Sequence, residues 1–230
     1  MDEVIYHSDS VSSVFLVPDK KIPKFLPGQF LHFTLDEYDP STGFWPESRV
    51  FSIASAPVEN RIRITYSVKG RFTKRMYDEI KINNYYWIKM PYGHFNINSD
   101  ENIVLIAGGT GITPFISFLK SCTDKSNLNV SLFYGIRKRS LFIFEDEILK
   151  ARGNLPQMKM SLYCEDEEFF LTDELKVKKG LINREEIIST ISNSNPTIYM
   201  SGPKEMIDSF KGYLIHNGIL EERIRLDEWE

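Results

Sequence analysis

One stretch near the middle of the chain limits the possible folds more than any other. Residues 103–107 read Ile-Val-Leu-Ile-Ala, and the turn that follows contains Gly108, Gly109 and Gly111. An apolar run without polar alternation is typical of a strand that is buried on both faces, as in a parallel sheet. Glycine has no Cβ, so the backbone of this turn can lie close to a ligand. The stretch therefore predicts a buried parallel strand that ends in a glycine turn.

A helix is predicted directly after this turn. Thr113 fits the N-cap position and Pro114 the first helical residue, because the missing N–H of proline has no intrahelical partner there. Free N–H groups and the positive end of a helix dipole together bind anions such as phosphate. Gly109-Thr110-Gly111 also begins the G-x-G-x-x-G dinucleotide pattern, although Pro114 stands in place of the third glycine. By itself, the stretch fits both a nucleotide site and a turn that binds no ligand.

The overall composition indicates a globular protein and argues against several kinds of partner. The net charge is −4 at pH 7, which does not favour binding to nucleic acid. No apolar run approaches the roughly 18 residues of a membrane span. Residues 1–4 lack the basic and then apolar pattern of a signal peptide. We therefore expect a cytoplasmic protein without a membrane span.

The cysteines and histidines predict no metal site. Cys122 and Cys164 are the only cysteines of the chain, and two thiols cannot complete the ligand set of an iron–sulfur cluster or a Cys₄ zinc site. Both lie in apolar segments, where a small core residue is the expected role. The histidines are scattered without ligand spacing.

Two patterns of secondary structure divide the chain. In residues 1–98, short runs of β-branched and aromatic residues between turn signals predict an antiparallel β-barrel or sandwich with one helix near Thr73. In residues 99–230, strands alternate with helices, which is typical of an α/β domain with a doubly wound parallel sheet. Strands are predicted at 11–17, 29–35, 49–55, 61–68, 85–90, 103–107, 129–134, 159–164 and 197–201, and helices at 114–121, 144–151, 184–191 and 204–216.

Several short motifs stand in the same order as in a known family. Arg49-Val50-Phe51-Ser52 is similar to a flavin-binding Arg-x-Tyr-Ser strand, and residues 69–73 resemble a turn around a flavin pyrophosphate. Residues 108–114 are similar to a nicotinamide-nucleotide turn. The other matching motifs are Pro27-Gly28-Gln29-Phe30, Pro91-Tyr92-Gly93-His94-Phe95, Tyr134-Gly135-Ile136-Arg137 and Ser201-Gly202-Pro203-Lys204-Glu205-Met206. Over nearly its whole length, the chain resembles the ferredoxin–NADP reductase superfamily, without a fused iron–sulfur domain.

The resemblance implies that the barrel binds a flavin, FAD rather than FMN, and that the α/β domain binds NAD(P)H. Ser52 and Ser201 are implied to lie at the reacting rings. Trp229, near the C-terminus, is expected either to stack on the flavin or to pack on the surface. The other cofactor-binding residues that the resemblance implies are Arg49, Val50, Phe51, Gly70, Phe72, Thr73, Gly109, Thr110, Gly111, Thr113, Pro114, Arg137, Arg139, Gly202 and Pro203.

The chemistry of these residues agrees with the resemblance. A flavin diphosphate needs a fixed cation and N–H donors, and Arg49 with the helix start at Thr73 can provide both. The hydroxyl of Ser52 can donate to or accept from a flavin ring nitrogen. Taken singly, Arg49 also fits an ordinary surface position and Ser52 a merely small residue. Phe51 and Ser201 depart from the family, since they stand where a tyrosine and, in many relatives, a cysteine are found.

The expected function is an FAD-dependent NAD(P)H oxidoreductase. A hydride would pass to the flavin, and electrons would then pass to a separate carrier such as ferredoxin or flavodoxin, or to a small-molecule acceptor. The basic stretch Arg137-Lys138-Arg139 favours NADP over NAD, because it can hold a 2′-phosphate, although it also fits a solvated loop. Two other functions stay open: a flavin reductase that uses free flavin, and a non-catalytic electron-relay or nucleotide-sensing subunit.

Overall fold

The first part of the chain folds into two antiparallel sheets that form the halves of a barrel. The computed structural model describes residues 1–8, 10–98, 102–123, 128–191 and 195–227. The sheets have the strand orders β1-β2-β5 and β4-β3-β6, and a bridge between Ile53 and Ile64 joins them. The elements are β1 (Glu3–Ser8), β2 (Val11–Leu16), β3 (Phe30–Thr34), β4 (Ser48–Ser52), β5 (Ile62–Ser67), α1 (Arg71–Glu79) and β6 (Trp87–Tyr92).

The second part is an α/β domain around one seven-stranded sheet. Its strand order is β10-β11-β9-β8-β7-β12-β13, and all neighbours are parallel except β10 and β11. The elements are β7 (Asn102–Gly108), α2 (Thr113–Ser121), β8 (Asn129–Ile136), α3 (Glu145–Asn154), β9 (Lys159–Cys164), β10 (Phe169–Thr172), β11 (Leu175–Lys179), α4 (Arg184–Ile191), β12 (Thr197–Ser201), α5 (Lys204–His216) and β13 (Ile224–Leu226). The predicted combination of an antiparallel barrel with a doubly wound sheet is confirmed.

The central strand β7 is apolar because helices cover both of its faces. Successive side chains of a strand point to opposite faces. Leu105 and Ala107 lie in the core formed with α2 and α3, whereas Val104 and Ile106 lie in the core formed with α4 and α5. No position along the middle of this strand faces water, which accounts for the missing polar alternation.

The sheet changes direction next to β7. From β7 the chain proceeds to β8 and β9 on one side, and it later returns to β12 on the other side. The register pairs Ala107 at the end of β7 with Ser201 at the end of β12. In open α/β sheets, ligands bind beyond the carboxyl ends of the strands at such a switch point. From the fold, a ligand is therefore expected at the turns that follow Ala107 and Ser201.

Some local predictions were wrong. Strand β1, the hairpin of β10 and β11, and the short edge strand β13 were not predicted. Thr113 is not an N-cap but the first residue of α2, and its hydroxyl donates to the carbonyl of Thr110 at 2.7 Å. The reason is that a 3₁₀ turn, Gly109–Ile112, continues directly into α2, so that the N-cap of the helix is Ile112. The predicted domain boundary at residue 98 stays a prediction, and residues 99–101 lie outside the described part of the chain.

The two parts of the chain pack directly against each other. Val11 and Ala54 of the barrel belong to the same apolar core as helices α2 and α3. The hydroxyl of Ser117 on α2 donates to the carbonyl of Ser55 at 2.6 Å. Among the described residues, no helix is long and apolar enough to cross a membrane.

A histidine at this interface is expected to make stability depend on pH. His7 lies with Nε2 2.8 Å from Ser13 Oγ. Burial lowers the pKa of His7 below its ordinary value, nearby Arg63 lowers it further, and Glu147 partly opposes this shift. The neutral imidazole is therefore favoured in the folded protein more than in the unfolded chain.

We expect His7→Gln to weaken the pH dependence of stability. Because the folded pKa lies below 6.5, the unfolded chain binds the proton first, and wild-type stability decreases as the pH falls below that value. The slope contributed by one histidine is at most about 1.4 kcal/mol per pH unit. Urea unfolding of both proteins between pH 7 and 5.5 measures it. Parallel curves for wild type and variant would contradict the prediction.

Candidate functional site

The turn after β7 lies directly on the turn after β12. A Cβ built on Gly111 would lie 2.3 Å from the carbonyl oxygen of Ser201 and 2.6 Å from the nitrogen of Gly202. These atoms belong to the backbone and cannot move aside as a flexible side chain can. Gly111 is therefore required by a contact between two backbones.

A second contact joins the same two turns. A Cβ on Gly202 would lie 3.0 Å from the nitrogen of Gly108, and Gly202 has a φ of +154°. A Cβ on Gly108 would lie 2.9 Å from Cδ of Pro203. These contacts bring the predicted turn residues Gly109, Thr110 and Gly111 together with Gly202 and Pro203. The two turns meet at the carboxyl ends of β7 and β12.

Ser201 is held by a residue that the sequence reasoning missed. Its hydroxyl donates to Oδ2 of Asp227 at 2.8 Å, and the two residues are 1% and 4% exposed. The N–H of Asp227 donates to the carbonyl of Met200 at 2.9 Å, which fixes the carboxylate after β13. A three-residue edge strand gives little sequence signal, so nothing in the chain marked Asp227 in advance.

The predicted flavin strand β4 brings Arg49 close to the start of α1. The Arg49 side chain is 54% exposed and forms an ion pair with Glu47 at 3.1 Å. Its guanidinium carbon lies 5.3 Å from the centre of the Phe72 ring on α1. The two predicted flavin motifs are therefore neighbours, with a solvent-accessible cation between them.

The start of α1 has free hydrogen-bond donors. The hydroxyl of Thr73 accepts the N–H groups of Lys69 and Gly70 at 3.0 and 3.1 Å. The N–H groups of residues 71–73 have no acceptor within the helix, because the carbonyls four residues before them, at positions 67–69, precede its first residue, Arg71. A Cβ on Gly70 would meet no atom within 4 Å, and its φ of −150° suits any residue. This open space beside unpaired donors fits an anionic group such as a diphosphate.

The other residues of β4 are divided between the two faces of the strand. Phe51 packs with its ring centre 6.4 Å from Phe33 and 6.1 Å from Tyr66 inside the barrel. Burial raises the pKa of Tyr66 to about 12. Val50 and Ser52 point to the opposite face, because side chains alternate along a strand. Ser52 is half-buried and pairs with Phe30 across the sheet.

A direct contact links the barrel site to the glycine turn. The hydroxyl oxygens of Ser67, at the end of β5, and Thr110 lie 3.4 Å apart. Ser67 also lies just before the predicted flavin turn of residues 69–73, so the two predicted cofactor sites are neighbours in the fold.

The predicted coenzyme-phosphate residues lie at the exposed end of β8. Arg137 and Arg139 are exposed, and the Arg139 guanidinium lies over the Phe169 ring at 4.8 Å. Trp229 lies outside the described residues, so its contact with the flavin stays a prediction. Within the described residues, no group of three or more His, Cys, Asp or Glu side chains could hold a metal ion.

Comparison with known proteins agrees with this geometry. Residues 105–212 match the family described as oxidoreductase NAD-binding domain. The flavohemoprotein of Bacillus anthracis is 23% identical over 236 residues, which cover 97% of this chain and 58% of that protein. The chain therefore spans little more than half the length of this relative.

Solved structures share the arrangement of both domains. The flavohem-like FAD/NAD-binding domain of nitric oxide dioxygenase from Vibrio cholerae has a TM-score of 0.81 at 22% identity, covering 99% of this chain and 95% of that one. Ferredoxin–NADP⁺ reductase from Plasmodium falciparum has a TM-score of 0.76 at 18% identity, covering 100% and 93%. The comparisons thus show the fold of the whole chain and the oxidoreductase NAD-binding family of residues 105–212, and both agree with the resemblance seen in the sequence.

We expect Gly111→Ala to weaken binding of NAD(P)H. The added methyl group would collide with the Ser201 carbonyl and push the turn away from its ligand-binding position. Overpacking costs about 1–3 kcal/mol, so the dissociation constant should rise about five- to 150-fold when the bound turn bears this cost. Gly153→Ala is the matched control, because a Cβ on Gly153 in α3 meets no atom within 4 Å. Calorimetric titration of both variants with NADH and NADPH measures the effect, and equal affinities would contradict the prediction.

Proposed function

We propose that this protein is an FAD-dependent oxidoreductase that takes a hydride from NAD(P)H. The observation that carries the proposal is the 3.4 Å contact between Ser67 and Thr110. This contact joins a barrel site suited to a flavin diphosphate and a turn suited to a nicotinamide nucleotide. Two ligands bound there would face each other across one cleft, as hydride transfer requires. The similar nitric oxide dioxygenase domain, described as binding FAD and NAD, supports the proposal.

The residues of this chain would act mainly by binding and aligning the two cofactors. FAD, when bound, supplies a ring that accepts a hydride and can release electrons singly. Arg49 and the free N–H groups at the start of α1 would hold its diphosphate. Ser52 would hydrogen-bond a ring nitrogen. Gly111 and Pro203 would let the nicotinamide nucleotide lie directly on the backbone.

Ser201 and Asp227 would act beside the nicotinamide ring. This ring becomes positively charged when it gives up a hydride. The buried carboxyl group of Asp227 holds the Ser201 hydroxyl at 2.8 Å, and a preorganised hydroxyl dipole in a water-poor site stabilises developing charge. We infer that Asp227 is a positioning residue for Ser201.

The electron acceptor is proposed to be a separate one-electron carrier, such as ferredoxin or flavodoxin, or a small molecule. Two buried cysteines leave the chain without the thiolates of an iron–sulfur cluster. The two other functions, a flavin reductase and an electron-relay subunit, predict different experimental results. A flavin reductase would bind its flavin weakly, whereas the donors at the start of α1 favour a retained FAD. An electron-relay subunit would hold FAD but show no turnover with ferricyanide.

The visible spectrum of the purified protein tests the proposal. We expect a flavin spectrum that bleaches anaerobically when NADH or NADPH is added. A colourless protein that turns over only with added free flavin would favour the flavin reductase. A colourless and inert protein would contradict both functions.

We expect Arg49→Met to weaken FAD binding. A charge-assisted hydrogen bond contributes about 1.5–3 kcal/mol, so the dissociation constant should rise roughly ten- to a hundredfold. Arg61→Met is the matched control, because Arg61 pairs with Asp2 and Glu3 away from α1. Fluorescence titration of the flavin-free proteins measures both constants. Equal loss of affinity in the two variants would contradict a direct role of Arg49.

Two charged loops determine the coenzyme preference that we propose. The basic residues Arg137 and Arg139 favour NADP, as the sequence predicts. However, the N–H of Asp166 donates to the carbonyl of Arg137 at 3.2 Å, and the N–H of Glu165 donates to that of Ile136 at 3.0 Å. The acidic loop that begins with these residues therefore lies beside the basic one. Its carboxylates would repel a 2′-phosphate, which favours NADH as the second candidate coenzyme.

The ratio of kcat/KM for NADPH to that for NADH distinguishes the two coenzymes. If Arg139 binds the phosphate, Arg139→Ala should lower the ratio about tenfold or more. If the acidic loop excludes the phosphate, Asp166→Asn should instead raise the ratio. Asp173→Asn, an exposed acid in the turn between β10 and β11, is the control. An unchanged ratio in both test variants would contradict both assignments.

A further inference from the structure

A buried ion pair crosses the boundary between the two domains. Arg63 on β5 donates through Nη1 to Oε1 of Glu147 on α3. The side chains of the two residues are only 7% and 21% exposed. Burial lowers the pKa of Arg63, and the attraction of Glu147 opposes this change. Arg63 and Glu147 are called the interdomain pair below.

The surroundings restrict Arg63 to one orientation. Its Nε donates to Ser13 Oγ at 3.2 Å within the barrel. Its guanidinium lies 4.3 Å from the ring centre of Phe144, which belongs to the α/β domain, and 5.0 Å from that of Phe15, which belongs to the barrel. Phe144 has a φ of +65°, a conformation that aromatic residues rarely adopt and that packing must hold in place.

Stability alone does not account for an ion pair at this position. Two charges lose their hydration when they are buried, and a well-packed apolar pair is often equally stable. An apolar contact would, however, tolerate sliding. Directed bonds from one guanidinium to Ser13 and Glu147 require a single arrangement of the two domains.

The interdomain pair is linked to both proposed cofactor sites through β5 on one side and through α3 and α2 on the other. Along β5, Arg63 lies four residues before Ser67, or about 13 Å away, and Ser67 contacts Thr110 of the glycine turn. Glu147 lies on α3, which packs against α2, and α2 follows the same turn. A rotation of the α/β domain at the interdomain pair would therefore move Thr110 relative to Ser67.

We propose that Arg63 and Glu147 are positioning residues that fix the angle between the domains and thereby align the nicotinamide with the flavin. This inference rests on the proposed function for its catalytic consequence. Its structural claim, that the pair fixes the domain angle, does not depend on a bound cofactor.

Distances between spin labels test the structural claim. The labels are attached at Tyr85→Cys in the barrel and Leu181→Cys in the α/β domain, which are 89% and 74% exposed. Native Cys122 and Cys164 are buried and stay unlabelled in the folded protein. Pulsed electron paramagnetic resonance should give a narrow distance distribution in the otherwise native protein. We expect a broader or shifted one when the interdomain pair is removed.

Two changes remove the pair in different ways. Glu147→Gln keeps an acceptor oxygen and loses the charge. Glu147→Gln thus leaves the buried Arg63 charge without its charged partner. The double variant Arg63→Met with Glu147→Leu replaces both charges by apolar groups, and it tests the pair even if Glu147→Gln does not fold. Arg61→Met is the control, because Arg61 pairs with Asp2 and Glu3 inside the barrel.

Anaerobic stopped-flow reduction of the FAD-loaded proteins tests the catalytic claim. We expect the bleaching rate at saturating coenzyme to fall about tenfold or more in both variants that remove the pair, since small misalignments slow hydride transfer strongly. The FAD content should stay unchanged, and the isotope effect with C4-deuterated coenzyme should not decrease. The Arg61→Met protein should match the wild type in rate and in label distances.

The outcomes separate the inference from the proposed function. Unchanged label distances in the double variant would overturn the inference, and so would altered distances with an unchanged reduction rate. Altered distances with slow reduction would support it. If neither coenzyme bleaches the wild-type protein, the proposed function is wrong, and the label distances alone then decide whether the pair fixes the domain angle.

Discussion

The proposed nucleotide site depends on the close approach of two backbones where the sheet changes direction. Parallel pairing of β7 with β12 brings Ala107 beside Ser201, and the turns that follow must then share one narrow space. Only a residue without a side chain fits at Gly111, where a Cβ would lie 2.3 Å from the Ser201 carbonyl. Both turns stay at the carboxyl ends of their strands because β7 is buried on both faces and cannot shift without exposing its apolar side chains. The surface offered to a ligand is thus backbone supported by the central strand.

Neither domain forms the proposed site alone. The barrel presents Arg49 and the first turn of α1, and the α/β domain presents the glycine turn. The 3.4 Å contact of Ser67 with Thr110 connects them. Transfer between two bound rings depends on their separation and angle, so the packing between the domains matters as much as the residues that touch the ligands. For this reason we propose that the buried pair of Arg63 on β5 and Glu147 on α3 bears on the chemistry at the end of β5.

The sequence predicted the fold class well and the ends of the elements less well. The apolar run of β7 and the motif order indicated both domains, because burial on two faces and tight turns leave patterns within a few neighbouring residues. Strands β1 and β13 and the hairpin of β10 and β11 were missed, since these short strands bury few residues and leave only a weak apolar pattern in the sequence. Thr113 fitted an N-cap locally, yet its hydroxyl bonds the Thr110 carbonyl because a 3₁₀ turn precedes the helix.

The sequence by itself determined which residue types stand at the glycine turn, on the Arg49 strand and at the start of α1. These features are local, because conformational freedom, free helix donors and strand alternation depend on adjacent residues. Only the tertiary structure decided that Gly111 lies on the Ser201 backbone, that Asp227 holds the Ser201 hydroxyl, that the acidic loop lies beside Arg137, and that Arg63 meets Glu147. Those contacts join residues far apart in the chain, and the strand order and domain packing that create them leave no local pattern in the sequence.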